Sequence, residues 1–230
     1  MRTRLADVRA RIERAAGRAR RDPASVRLVA VSKTFPADAV RAAADAGQLD
    51  FGENKVQEAL QKIEQTSDLP IRWHLVGHLQ SNKTKKVGRF DMIHSVDDAA
   101  LAAKVDEAAR AAGRRIELLA QVDLARETTK HGAAEDALPA IFDAARAAQA
   151  APLVGLMLLP PAVDDPDAAR PYFRELRAVR ERLLAHGVDA FMLRELSMGM
   201  SHDFEVAVEE GSTLVRVGTA IFGGRSYVRS

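Results

Sequence analysis

Eight times along the chain a short apolar run gives way to a polar turn, and between most of the runs lies an amphipathic helical stretch. This alternation limits the fold more than any other feature. The runs cover residues 28–31, 50–51, 73–76, 92–95, 118–122, 153–158, 190–196 and 214–217. Helical spacing fills 37–46, 55–64, 99–112, 135–148 and 169–185. Strands separated by helices pair in parallel through right-handed crossovers. Eight units in 230 residues come to about 29 residues each, which fits a closed (β/α)8 barrel. An open doubly wound sheet would want a Gly-rich turn after the first strand, where this chain has Ser32-Lys33-Thr34-Phe35-Pro36. Gly47, Gly113 and Gly187 sit where left-handed helix caps belong.

Ahead of the first run, Leu5, Val8, Ile12 and Ala16 recur at helical spacing behind Thr3, a possible N-cap. This stretch is rich in arginine, but Asp7, Glu13 and Asp22 interrupt it and no apolar signal core follows. It therefore reads as a packed helix rather than a targeting segment. The expectation is an α/β fold: a single (β/α)8 TIM-type barrel domain over 1–230, with an extra amphipathic helix within 1–22 packed on it.

Composition removes several function classes. The chain has no cysteine, which excludes a disulfide framework, a thiolate zinc site and a cysteine nucleophile, and which suits a reducing cytoplasm. Lys and Arg total 34 against 32 Asp and Glu, too even a balance for a nucleic-acid binder. Aromatic residues, at 5%, are too few for base-stacking platforms. The longest apolar stretch, 150–163, is broken by Pro152, Pro160 and Pro161 and is too short to span a membrane.

Barrels of this type gather their chemistry at the C-terminal ends of the strands. Strand one ends at Ser32-Lys33, strand two at Gly52-Glu53-Asn54, strand three at Gly77-His78-Leu79-Gln80, strand five near Asp123, and strand six near Met157. Strand seven ends at Ser197–Ser201 and strand eight at Arg216-Val217-Gly218-Thr219. The loops after strands seven and eight often hold phosphate. Here Ser197 and Thr219 offer hydroxyls, Gly199 and Gly218 allow close backbone approach, and a helix opens near Asp203. The plainer reading makes Ser201 or Asp203 a helix cap and the glycines turns.

Lys33 follows a buried strand directly, and burial would make its amine a nucleophile toward an aldehyde. It could instead snorkel at the rim or pair with Glu53. Arg216 shares a strand face with Gly218 and needs a partner: Asp123, Glu53, or an acceptor on a ligand ring. His74 and His78 are four apart on a strand and turn with no third ligand in view, so no metal site is expected. Lys83, Lys85, Lys86 and Arg89 read as a solvated helix face. Met157, Met198 and Met200 read as core or pocket fillers.

A lysine after strand one and a phosphate cup after strands seven and eight make the layout of a pyridoxal 5′-phosphate site. The sequence resembles the YggS/PROSC family, the pyridoxal phosphate homeostasis proteins, through nearly its whole length. The segments that carry the resemblance are residues 30–34, 51–58, 73–83, 196–201 and 215–223. Lys55 stands where the family more often has tyrosine or arginine, and Asp123 where it tends to have asparagine.

The resemblance implies that Lys33 forms a Schiff base with the cofactor aldehyde. It implies Ser197, Gly218 and Thr219 around the phosphate, Arg216 toward the pyridine nitrogen, and Asn54 and Met157 near the ring. It also implies a role in cofactor and amino-acid homeostasis without efficient turnover and without catalytic residues. The partners would be the cofactor, related vitamers and apo-enzymes that use them. A cytoplasmic monomer is expected.

Two other readings stay open. An alanine racemase-type enzyme shares the barrel and the lysine, but only residues 220–230 follow strand eight where racemases carry a further domain. Neither Tyr172 nor Tyr227 falls at a strand end, and no second strong base is placed on the far face. A phosphosugar barrel enzyme is the third reading, and it would be colourless.

Overall fold

The computed structural model describes residues 1–125 and 131–224. Eight parallel strands pair in sequence order and close through β1 and β8. They are β1 (Arg27–Val31), β2 (Asp50–Glu53), β3 (Arg72–Leu75), β4 (Met92–Val96), β5 (Glu117–Val122), β6 (Leu153–Leu158), β7 (Glu195–Met200) and β8 (Leu214–Val217). Around them lie α1 (Arg2–Arg18), α2 (Ala37–Ala44), α3 (Val56–Gln65), α4 (Ala99–Ala111), α5 (Leu138–Arg146), α6 (Arg170–Ala185), α7 (Phe204–Glu209) and α8 (Thr219–Phe222). The expected TIM-type barrel with an added N-terminal helix is what the chain forms. No helix among the described residues is long and apolar enough to cross a membrane.

Leu5, Val8, Ile12 and Ala16 of α1 are buried, as their spacing predicts. The helix opens two residues earlier than expected, at Arg2, so Thr3 lies within its first turn and caps nothing. Arg11 ion-pairs with Glu205 and Arg18 with Glu209, which ties α1 to α7. Gly47, Gly113 and Gly187 all have left-handed φ.

The seventh strand departs from expectation. Residues Ala190–Leu193 form a 3-10 turn, because the Asp189 carboxylate accepts the Phe191 N–H and starts a turn there; β7 begins only at Glu195. The basic cluster lies on a 3-10 segment, Ser81–Arg89, with Thr84 and Val87 buried and the lysines exposed, so it is the solvated face that was expected.

Two layers of side chains follow from strand alternation. Outward-facing residues join the helices in one large core. Inside the barrel, Val29, Met92, Leu119, Val154, Met157 and Leu214 form a separate apolar cluster. That interior is not all apolar: Asp50, His74, His94, Gln121, Ser197 and Arg216 are buried too. Polar groups in such a place must find partners, and how they do so builds the site above them.

Candidate functional site

A cleft of about 670 Å³ opens at the C-terminal ends of the strands. Lys33, Asn54, Arg216, Gly218 and Thr219 line it, together with Phe35, His78, Gln121, His131 and Ser201. Five of the seven residues singled out for ligand binding therefore meet in one place.

The other two, Ser197 and Met157, lie below it. Met157 is fully buried and belongs to the inner apolar cluster. Ser197 is fully buried as well, its hydroxyl held between Arg216 Nη1 at 2.6 Å and His94 Nδ1 at 2.8 Å. The hydroxyl that faces the cleft from strand seven is Ser201. It accepts the backbone N–H of Gly218 at 3.0 Å and of Ala220 at 3.4 Å, and neither bond uses its own proton. Ser201 is therefore not the helix cap that its place in the motif suggests. Asp203 does not cap the helix either: its carboxylate accepts the Met200 N–H, folding back toward β7.

Gly199 is needed for conformation as well as space. Its φ is +93°, and a Cβ there would lie 2.5 Å from Ala207 Cβ. This lets β7 turn sharply onto α7 and swing Ser201 toward Gly218. Gly218 is tighter than it looks, since a Cβ would come within 3.1 Å of the Val31 carbonyl.

Arg216 does not pair with Asp123 or Glu53. Its guanidinium, 4% exposed, donates to Ser197 Oγ and to the Leu158 carbonyl at 2.8 Å, both neutral acceptors. Burial pushes its pKa down to about 10, with Asp203 pulling weakly the other way. At neutral pH it is still a cation, at the floor of the cleft.

Glu53 is committed elsewhere. Fully buried, it accepts from Ser32 Oγ and from Lys62 Nζ, each at 2.6 Å, through Oε1. Lys62 also donates to the Ser32 carbonyl and to Glu58, both at 2.8 Å, so its three N–H groups are all used. Glu58 in turn accepts the Thr34 N–H at 2.7 Å. Thr34 has a φ of +70°, an uncommon conformation for threonine. The network thus clamps both sides of Lys33. Lys33 itself is exposed in the cleft, not buried as its position after β1 suggested.

His74 and His78 do not share a site. His74 lies inside the barrel. His78 is at the cleft, stacked on His131 with ring centroids 3.6 Å apart, and its Nδ1 is 3.6 Å from Asp97. His78, Asp97 and His131 each bring a potential ligand atom within 4.8 Å of the others. The cleft therefore does contain bases, which the sequence spacing had not brought together. Asp123 lines a separate outer groove beside α5 and α6. Tyr172 packs against the outer core. Lys130 and Tyr227 lie outside the described residues.

His94 is completely enclosed, and desolvation holds its pKa well below the usual value, helped by His74, Arg216 and Arg27. The folded protein keeps this imidazole neutral while the unfolded chain protonates it below about pH 6.5. The stability that it contributes is therefore lost as pH falls below that value, with a slope approaching about 1.4 kcal/mol per pH unit. Burial raises Glu53, Asp97 and Asp203, which act in the opposite sense nearer the carboxylate range. Urea unfolding is expected to show a loss of roughly 1 kcal/mol between pH 6.5 and 5.5; a flat profile there would contradict a neutral His94.

Comparison with known proteins places this geometry among relatives. A family profile for the alanine racemase N-terminal domain matches residues 3–226. A pyridoxal phosphate homeostasis protein of Pseudomonas aeruginosa is 45% identical, over 97% of this chain and 95% of its own. One from Aquifex aeolicus is 41% identical, over 97% and 98%. The structure of PipY from Synechococcus elongatus with PLP bound superposes with a TM-score of 0.81 at 42% identity, covering 93% of this chain and all of that one.

Proposed function

The chain belongs to the pyridoxal phosphate homeostasis proteins, a family built on the alanine racemase N-terminal domain, and from that premise we propose that it holds pyridoxal 5′-phosphate in the strand-end cleft as a Schiff base on Lys33. Its role is in cofactor and amino-acid homeostasis, without efficient turnover. The observation that carries the reading is Arg216, a buried cation at the floor of the cleft whose hydrogen bonds go to two neutral oxygens. A buried charge is costly unless it is compensated. A ring nitrogen or another acceptor seated above it answers that need.

The rest of the cleft fits the same ligand. Lys33 brings an exposed amine. Ser201, Thr219 and the Gly218 backbone offer the small polar groups that a phosphate takes, and Phe35, Asn54 and Val76 supply walls for a ring. Bound there, pyridoxal 5′-phosphate supplies an electrophilic aldehyde and an electron-withdrawing ring. Replacing Ser201 and Thr219 together by alanine is expected to weaken its binding by about a hundredfold or more, since hydrogen bonds to a charged group are each worth about 1.5–3 kcal/mol. An unchanged affinity in a fluorescence titration would move the phosphate elsewhere.

Arg216 also supports the absence of efficient turnover. A guanidinium with a pKa of about 10 stays protonated and gives no proton to a ring nitrogen at pH 7, so the ring withdraws electrons less strongly than one paired with a carboxylic acid. His78 and His131 put bases within the cleft, so the protein withholds electron withdrawal rather than basicity. Among the described residues no tyrosine lines the cleft.

The test is deuterium uptake at the α-carbon of alanine in heavy water by the loaded protein. Uptake well below about 1 per second supports a carrier or regulator; enzyme-like rates would restore the racemase. The same reading takes the protein as a cytoplasmic monomer, in keeping with its cysteine-free composition. Vitamers and apo-enzymes that use pyridoxal phosphate are its partners.

A further inference from the structure

Arg216 is the last link of a hydrogen-bonded chain that crosses the barrel interior. Arg216 Nη1 meets Ser197 Oγ at 2.6 Å, Ser197 Oγ meets His94 Nδ1 at 2.8 Å, His94 Nε2 meets His74 Nδ1 at 2.9 Å, and His74 Nε2 meets Asp50 Oδ1 at 3.0 Å. Asp50 Oδ2 accepts from Arg72 at 2.7 Å. All five members are buried and come from five different strands. Asp50 opens β2 at the floor of the barrel, whereas Arg216 reaches the cleft at the other end.

The two ends fix the direction of the outermost bonds. A guanidinium only donates and an ionised carboxylate only accepts. A hydroxyl has one proton and two lone pairs, so Ser197 accepts from Arg216 and can either donate to His94 Nδ1 or accept from it. In the donating arrangement His94 carries its proton on Nε2 and donates to His74 Nδ1, and His74, protonated on Nε2, donates to Asp50. That arrangement runs one way from Arg216 to Asp50 and leaves the Ser197 proton directed away from the guanidinium.

We propose that Ser197, His94, His74 and Asp50 are positioning residues for Arg216, holding its guanidinium in the orientation that meets the ring nitrogen of the bound cofactor; this rests on the reading of the cleft as a pyridoxal phosphate site. Were the chain reversed, Ser197 would receive a proton from His94 and would no longer donate to Nδ1. The Ser197 hydroxyl proton would then turn toward the guanidinium and disturb it.

The experiment has two readouts. Long-range ¹⁵N–¹H correlation spectra of the unloaded protein are expected to show His74 and His94 both protonated on Nε2 and bare on Nδ1. In Asp50→Asn, Arg72 still requires the amide oxygen, so the amide nitrogen faces His74 and both histidines should switch to Nδ1–H. That variant should bind pyridoxal 5′-phosphate several-fold more weakly, although its substitution lies at the far end of the barrel.

Ser197→Ala guards against a misfolded Asp50 variant. It should lose about tenfold in affinity for pyridoxal 5′-phosphate and almost nothing for the analogue with carbon in place of the ring nitrogen. Ser197→Thr, which keeps the hydroxyl, should recover most of the loss. Equal losses for both ligands, or histidines in other tautomers, would overturn the proposal. A wild-type protein with the stated tautomers that takes up no pyridoxal phosphate would overturn the cofactor reading, and the positioning role with it.

Discussion

Lys33→Ala is expected to abolish the borohydride-fixed adduct of pyridoxal phosphate completely while leaving the barrel folded. Lys33 lies exposed in the cleft just after β1, and among the described residues nothing is hydrogen-bonded to its ammonium. Truncating such a side chain changes stability by no more than about 0.5 kcal/mol. The groups proposed to hold the phosphate and the ring, Ser201, Thr219 and Arg216, are untouched, so a weaker, non-covalent association should survive. Intact mass after borohydride treatment reads the adduct, and thermal unfolding reads the fold. An adduct that persists on the variant would assign the covalent link to another lysine.

The largest loss of stability is expected from a residue outside the cleft. Lys62→Met removes the cation that neutralises Glu53 and Glu58 beneath the Lys33 turn. Lys62 is 5% exposed and Glu53 is wholly enclosed. Breaking a buried pair by deleting one partner costs about 3–5 kcal/mol, which for a chain of this size lowers the midpoint of thermal unfolding by roughly 10 °C.

Burial already raises the pKa of Glu53, and without Lys62 its proton would be held more firmly still. The loss should therefore be larger at pH 8 than at pH 5, where Glu53 can be neutral. The double variant Lys62→Met, Glu53→Gln should regain a good part of it. A Lys62→Met protein as stable as the wild type at pH 8 would refute this account of the network. Loosening Glu58 also releases the Thr34 N–H, so the single variant should weaken pyridoxal phosphate binding as well.

Periodicity is a local property, and what depended on it was legible in the sequence. Seven of the eight apolar runs lie at their strands, and the buried face of α1 reads directly from Leu5, Val8, Ile12 and Ala16. The exception, residues 190–196, shows the limit: the apolar pattern was present, but one hydrogen bond from the Asp189 carboxylate turned its first half into a 3-10 turn. The site was legible where residues close a strand. Lys33, Asn54, Arg216, Gly218 and Thr219 could be placed in one cleft because a closed parallel barrel brings all its strand ends together.

Sequence alone could not decide which way a side chain at a strand end points, because that depends on register and local twist. The irregular pairing between Ser197 and Met200 puts Ser201 at the cleft and Ser197 beneath it, although both are serines in one short motif. Nor could it pair the buried polar residues. Asp50, His74, His94 and Ser197 are isolated in apolar runs and far apart along the chain. Only closure of the barrel brings the inward-facing positions of different strands within 3 Å of one another. The repeating apolar pattern determined that a barrel forms and where its chemistry gathers. Tertiary closure decided which polar groups meet in its interior, because a buried donor or acceptor takes its partner from whatever strand lies opposite, and sequence distance has no part in that choice.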